Sequence, residues 1–202
     1  MKGYRTGRSI IALAGRRIDA PGSASPRFPL DMTHRVRERL RDVMLNEGAV
    51  ALVASAACGA DLIALDVAAQ LGLRRRIVLP LPADRFRNLS VVDRPGDWSS
   101  LFDPSINDAR AAGDLVVLDT DHSPVDGSDA DGAALDAAFA AATGRILQEA
   151  EALAGEPGTQ GLRVVGVLVW DGVSRGADDH TAAFGRLVRE RGHTVIEVAT
   201  DE

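Results

Sequence analysis

Short β-branched apolar runs alternate along this chain with longer stretches of helical period, and few architectures accommodate that pattern. Ser9–Ala14 reads as a buried strand ending at Gly15, followed by a Pro/Ser-rich loop through Pro29. Thr33–Asn46 reads as a helix, with Val36, Leu40, Val43 and Met44 on one face and Arg35, Arg37, Arg39 and Arg41 left to water. Ala49–Ala54 is a second strand, Asp61–Gln70 a helix, and Arg76–Leu81 a third strand closed by Pro80 and Pro82. From about residue 83 to 110 the pattern reads as an irregular insert, with a turn at Pro95-Gly96. Leu115–Leu118 is a fourth strand, Thr120–Asp131 an acidic polar segment, and about 133–154 a long helix. Arg163–Trp170, Thr181–Arg191 and His193–Val198 close the chain as strand, helix and strand.

Apolar strands separated each time by a helix are βαβ units, and these build a parallel sheet covered on both faces. Right-handed crossovers then give an α/β fold: a three-layer, Rossmann-like, doubly wound and mainly parallel sheet of about six strands. One domain over residues 1–202 absorbs the whole pattern. Ligands of such sheets bind beyond the carboxyl ends of the strands, where the winding reverses.

Composition narrows the functional classes. Hydrophobic residues make up 46% and charged residues 26% of the 202, which excludes wholesale disorder. Cys58 stands alone, so neither an internal disulfide framework nor a multi-Cys zinc site is available. No cofactor and no metal are expected. The balance of 23 Lys+Arg against 29 Asp+Glu gives a net charge of −6 and argues against nucleic acid as a partner. Lys2 is the only lysine, a coding bias that makes a lone Arg a poor phosphate signal. No stretch reaches membrane-span length, and the first apolar run is too short for a signal peptide and runs into Arg16-Arg17. A cytoplasmic protein without a membrane partner is expected.

Four clusters sit at the expected strand ends. Gly15-Arg16-Arg17 offers close backbone approach and a planar fork for phosphate, or else a tight turn with solvated side chains. Ser55 to Asp61 is small and leads into a helix, so backbone N–H groups of Ala57, Cys58, Gly59 and Ala60 could face an anion. Asp61 could equally cap its helix, and Cys58 reads as nucleophile or buried filler. The third cluster, Pro82, Arg85, Arg87, Ser90, Arg94 and Trp98, could stack a base and hold phosphate, or plug a loop onto the sheet. The fourth runs from Trp170-Asp171-Gly172 to His180-Thr181. Its Asp178-Asp179-His180 run suggests a metal, but adjacent residues rarely converge on one ion, so helix capping is the reading taken.

Together these clusters resemble the SLOG superfamily. Gly15-Arg16, Arg27-Phe28-Pro29, Val36-Arg37 and Leu40 are similar to its opening motif, and Ser55–Ala68 to its "S..A.GAD..A.E.A" signature. Ile77–Pro82 with Phe86 and Ser90-Val91, then Trp98 and Phe102, follow in order, as do Trp170-Asp171-Gly172 and Val195. That superfamily groups Lonely-Guy phosphoribohydrolases, DNA-processing protein A and ligand-sensing domains of bacterial conflict systems. The resemblance implies a nucleotide or nucleotide derivative, such as an ADP-ribose-like molecule, and a tendency to form homodimers.

Departures from the pattern weigh on activity. Arg16 stands where the family has His. The stretch Arg175 to Phe184 keeps Thr181 but has Ala183 and Phe184 where Lonely-Guy enzymes carry a catalytic Glu. The reading is therefore a ligand-sensing module of bacterial signalling or antiviral defence, signalling through a separate effector protein or self-association. Gly15, Arg16 and Arg17 would line its floor, Cys58, Gly59 and Ala60 would hold phosphate, and Gly172, His180 and Thr181 would close the wall. The alternative is a phosphoribohydrolase-type enzyme with an acid drawn from Asp61, Asp66, Asp171 or Asp179.

Overall fold

The computed structural model describes residues 7–118, 129–176 and 179–201. In chain order its elements are β1 (Ser9–Gly15), a single 3-10 turn (Leu30–Met32), α1 (Thr33–Asn46), β2 (Ala49–Ala54), α2 (Ala60–Gln70), β3 (Arg74–Leu79) and α3 (Ala83–Ser90). Then follow α4 (Ser99–Ala111), β4 (Leu115–Val117), α5 (Asp129–Gly155), β5 (Arg163–Trp170), α6 (His180–Glu190) and β6 (Thr194–Ala199). The acidic segment expected after β4 lies, through residue 128, outside the described residues, as does Asp178.

The strands form one six-stranded sheet in the order β4-β3-β2-β1-β5-β6, and every pair is parallel. Alternate residues feed two cores because side chains in a strand point to opposite faces. Ile11, Leu13, Leu52, Leu79 and Val167 meet α1, α2 and α4 on one face. Ile10, Ala12, Val53, Val78 and Leu168 meet α5 and α6 on the other. Both faces are buried, so the strands read as near-continuous apolar runs. The winding reverses between β1 and β5, the place such sheets reserve for ligands.

Two expectations need correction. Residues 83–110 are mostly helical, α3 and most of α4, and only residues 91–98 between them are irregular. The expected turn at Pro95-Gly96 is present between the helices, with Gly96 at φ +108°, but Pro104 lies inside α4, where Phe102, Ile106 and Ala109 recur at helical spacing and are buried. Core packing outweighs the backbone bond that Pro104 forgoes. The third strand begins two residues earlier than expected, at Arg74. A run of three arginines looks like loop, but Arg74 and Arg76 both pair with Asp114, and Arg76 reaches Glu149 at 2.8 Å.

Glycines mark where layers approach most closely. A Cβ on Gly166 of β5 would lie 2.6 Å from Val188 Cγ1 of α6, whereas one on Gly144 of α5 would meet nothing within 4 Å. Gly166→Ala should therefore cost about 1–3 kcal/mol through overpacking. Gly144→Ala should gain about 0.5–1 kcal/mol by lowering unfolded-state entropy within a helix. Urea titrations of both variants check the pair of signs.

Candidate functional site

At the reversal, β1 ends against its own chain. A Cβ on Gly15 would lie 2.4 Å from Ala60 Cβ and 2.8 Å from Val169 Cβ, so glycine is required for packing rather than for ligand approach. The next residue, Arg16, donates its backbone N–H to Val169 O at 2.8 Å. Its guanidinium then spans the crevice: Nη1 and Nη2 donate to the two Asp179 oxygens at 2.8 Å each. Nε donates to Asp171 Oδ1 at 3.2 Å and Nη2 also to Val173 O at 2.7 Å. The guanidinium carbon sits 5.6 Å from the Trp170 ring centroid, and Arg16 is 6% exposed. Arg27 adds a second cation to Asp171 at 3.2 Å.

The expectation that Arg16 holds phosphate is thus corrected: four of its five N–H donors go to Asp179, Asp171 and a carbonyl. Asp179 is the N-cap of α6, accepting from Ala182 N–H at 3.1 Å and from Arg175 N–H at 2.8 Å. Burial alone would raise this carboxyl, but the Arg16 fork and the two backbone donors hold it down to about 2.

The second cluster also differs from expectation. Cys58 N–H donates to Ser90 O at 2.9 Å and Ala60 N–H to Arg16 O at 3.1 Å, so neither is available to an anion. Gly59, with φ of +96°, caps α2, and a Cβ there would meet Ile18 N at 2.8 Å. Cys58 is a buried filler whose thiol is pushed up by burial despite Arg17 beside it. Among the third cluster, Trp98 is 6% exposed in the core and donates Nε1–H to Pro95 O, rather than offering a ring to a base. Arg87 pairs with Asp103 at 2.9 Å on the outside of α3, Ser90 is buried, and Pro82 caps α3. Gly172 is an exposed turn residue with φ of +75°. None of these lines the cavity described next.

That cavity, about 390 Å3, lies at the carboxyl ends of β1, β2 and β3. Gly15, Arg16 and Arg17 come from β1, Ala57, Ser55 and Asp61 from the β2–α2 junction, and Asp179, His180 and Thr181 from the start of α6. These are residues the strand-end reading had named, and the fold brings them together. Its other wall was missed: Phe139, Ala142, Thr143 and Ile146 of α5, with Phe86 and the loop residues Asp19 and Ser23. Phe139 sits 6.1 Å from the Phe86 ring and 6.4 Å from His180, whose Nε2 lies 3.0 Å from Asp136 Oδ1. The helical spacing of Phe139, Ala142 and Ile146 was readable, but not that their face roofs the sheet end.

The cations differ in how far they are neutralised. Arg17 pairs with Asp93, and Arg94 Nε approaches the same carboxylate at 3.3 Å, so two guanidinium groups share one counter-charge. Nε of both is buried without a hydrogen-bond partner among the described residues. Arg175 lines the cavity, and its guanidinium has no hydrogen-bond or ion-pair partner among the described residues. Partial burial of the guanidinium and repulsion from Arg16 and Arg27 hold its pKa below the usual value, against the pull of Asp179 and Asp171, in a residue that is exposed overall.

The candidate acids separate equally clearly. Asp66 pairs with Arg37 and Gln70 away from the cavity, while Asp171 and Asp179 are consumed by Arg16 and Arg27. Asp61 alone is uncommitted: it is 7% exposed, lines the cavity, and accepts only Ala57 N–H, at 3.2 Å on Oδ2. Burial pushes its carboxyl up to about 7, against the pull of Ala57 N–H and Arg17. Among the described residues no group of three or more His, Cys, Asp or Glu is placed to hold a metal. Nor is any described helix long and apolar enough to cross a membrane.

No family model matches the chain, and no curated protein matches it. Among solved structures it is similar to DNA processing protein A from Helicobacter pylori, a structure described for its single-stranded DNA binding mode. That alignment covers 93% of this chain and 75% of the other at 14% identity and a TM-score of 0.38. DNA processing protein A from Streptococcus pneumoniae aligns over 95% of this chain and 59% of its own, at 11% identity and a TM-score of 0.36. At these scores neither likeness bears on what the cavity does.

The two carboxyls make opposite pH statements. Asp179, held at about 2 against an ordinary 3.8, stabilises the fold fully above pH 4 and loses that contribution as pH falls toward 2. Asp61, raised to about 7, favours its protonated form in the native state, so stability falls as pH rises from about 4 to 7. The full cost above pH 7 is roughly 4 kcal/mol. Asp61→Asn should remove the decline between pH 4 and 7, which urea unfolding across that range measures. Arg16→Met, by contrast, strands buried Asp179 and should lose about 3–5 kcal/mol at neutral pH.

Proposed function

We propose that this chain binds a small anionic ligand of nucleotide type in the cavity beside the β1–β5 reversal. What carries the reading is Arg175, an exposed guanidinium at the lining of the cavity without a partner among the described residues, in a cavity also lined by Phe139, Ala142 and Ile146. A charged group on one side and an apolar wall with a few polar groups on the other suit a phosphate joined to a planar or apolar body. The volume, about 390 Å3, is in the range of small-molecule sites. The SLOG resemblance supports the same ligand class. On this reading the domain is a sensor that passes its state to a second copy or a separate effector. An ADP-ribose-like molecule and a role in bacterial signalling or defence are the finer form of the proposal.

A second reading has one observation in its favour. Asp61 is a buried cavity carboxyl whose pKa of about 7 suits a general acid or base at neutral pH. Cleavage of an N-glycosidic bond, the alternative drawn from the sequence, would fall to this residue because the other candidate acids are paired. Release of free base from nucleoside monophosphates, abolished by Asp61→Asn, is the result that selects the enzyme.

Calorimetry with ADP-ribose and adenosine monophosphate tests the binding reading. Arg175→Gln should weaken binding at least tenfold, more at low salt than at high, with the melting temperature unchanged. Arg16 variants are unsuitable because their loss of stability would mimic loss of a contact. A single-stranded oligonucleotide, the ligand of the Helicobacter pylori protein, is the competing arm. Tight oligonucleotide binding with no response to either nucleotide would overturn the proposal.

A further inference from the structure

Asp61 raises a question that the fold leaves open. A buried carboxylate ordinarily meets a cation or saturates both oxygens, because an unpaired acceptor away from water is costly. Asp61 does neither among the described residues. Its only hydrogen bond is from Ala57 N–H at 3.2 Å to Oδ2, and it forms no ion pair, Arg17 acting on it only through its field. Oδ1 is left without a partner among the described residues and is not sealed from solvent, on a side chain that is 7% exposed and lines the cavity.

Helix capping does not explain the residue. The N-cap of α2 is Gly59, and the Asp61 carboxylate reaches back to residue 57 rather than forward along the helix. Other polar groups around the cavity are accounted for internally. Asp179 is saturated by Arg16 and two backbone donors, and Asp19 accepts from Arg27 N–H and Phe28 N–H at 2.8 Å each. Arg175 and Asp61 are not, and neither are the Nε atoms of Arg17 and Arg94, but Asp61 is the one acid among them.

We infer that Asp61 is a specificity-determining residue, accepting a hydrogen bond through Oδ1 from a donor on the ligand whose anionic group meets Arg175. This rests on the nucleotide reading and deepens it: the ligand is a phosphorylated nucleoside that presents a donor to Asp61, from its ribose hydroxyls or from an exocyclic amine of its base. Both donors share one chemistry and are separated by experiment. Asn in place of Asp61 keeps the shape but, with its oxygen held by Ala57 N–H, turns an NH2 group toward the ligand. Above pH 7, where Asp61 is ionised, acceptor becomes donor, and the contact becomes a clash of two donors.

The test is a chemical double-mutant cycle by calorimetry with three named probes. These are adenosine monophosphate, its 2′,3′-dideoxy analogue without ribose hydroxyls, and purine riboside monophosphate without the amine. Wild type should bind adenosine monophosphate at least tenfold more tightly than one of the two analogues, and Asp61→Asn should erase that difference. The wild-type comparison stands even if the variant fails to fold. Equal binding of all three probes to wild type, or a difference that survives in Asp61→Asn, overturns the inference and leaves the nucleotide reading intact. No binding of any probe to wild type overturns both.

Discussion

The bidentate pair between Arg16 and Asp179 is the contact on which the ligand-facing end of this molecule depends. It joins the end of β1 to the first turn of α6 across the place where the sheet reverses its winding. Asp171 and the Val173 carbonyl take more of the reach of the same guanidinium, and Arg27 grips the same two groups, so two arginines hold the segment that follows β5. Buried charges are tolerated with excellent geometry and extensive hydrogen bonding, and here Asp179 is saturated while Arg16 uses four of its five donors. What results is a fixed crevice floor on which the Arg16 charge is already neutralised.

That neutralisation moves the site. An arginine at the carboxyl end of β1 is the natural first choice for holding an anion in a Rossmann-like sheet, and here it is unavailable. Positive character falls instead to Arg175, which the Arg16–Asp179 pair positions because Asp179 also accepts the Arg175 backbone N–H. A chain of net charge −6 can thus present one uncompensated guanidinium over an apolar wall. The field is local to the mouth of the cavity.

Much of the architecture was legible in the sequence. α1, β2 and β5 begin and end where apolar period and β-branched content placed them, and six strands separated by helices follow from the same pattern. Where the reading failed, tertiary contacts overrode local signals. Pro104 sits inside α4 because Phe102 and Ile106 anchor that helix, and Arg74 and Arg75 lie within a strand because acidic partners arrive from elsewhere. At the site, motif spacing located Gly15, Asp61 and Thr181 but could not say which groups were occupied. Whether Arg16 meets a ligand or Asp179 is decided by residues 163 positions apart. The α5 wall was invisible for the same reason: nothing local tells which strand ends a long helix crosses.

The most direct measurement is residue-by-residue mapping of amide chemical shifts during titration with adenosine monophosphate. The account expects saturable shifts confined to residues 15–20, 55–61, 139–146 and 175–181, with the Arg16 side-chain resonances still those of a paired guanidinium. Shifts centred on the far end of the sheet, around residues 162–164 and 192–194, or displacement of Arg16 from Asp179 on binding, would contradict it.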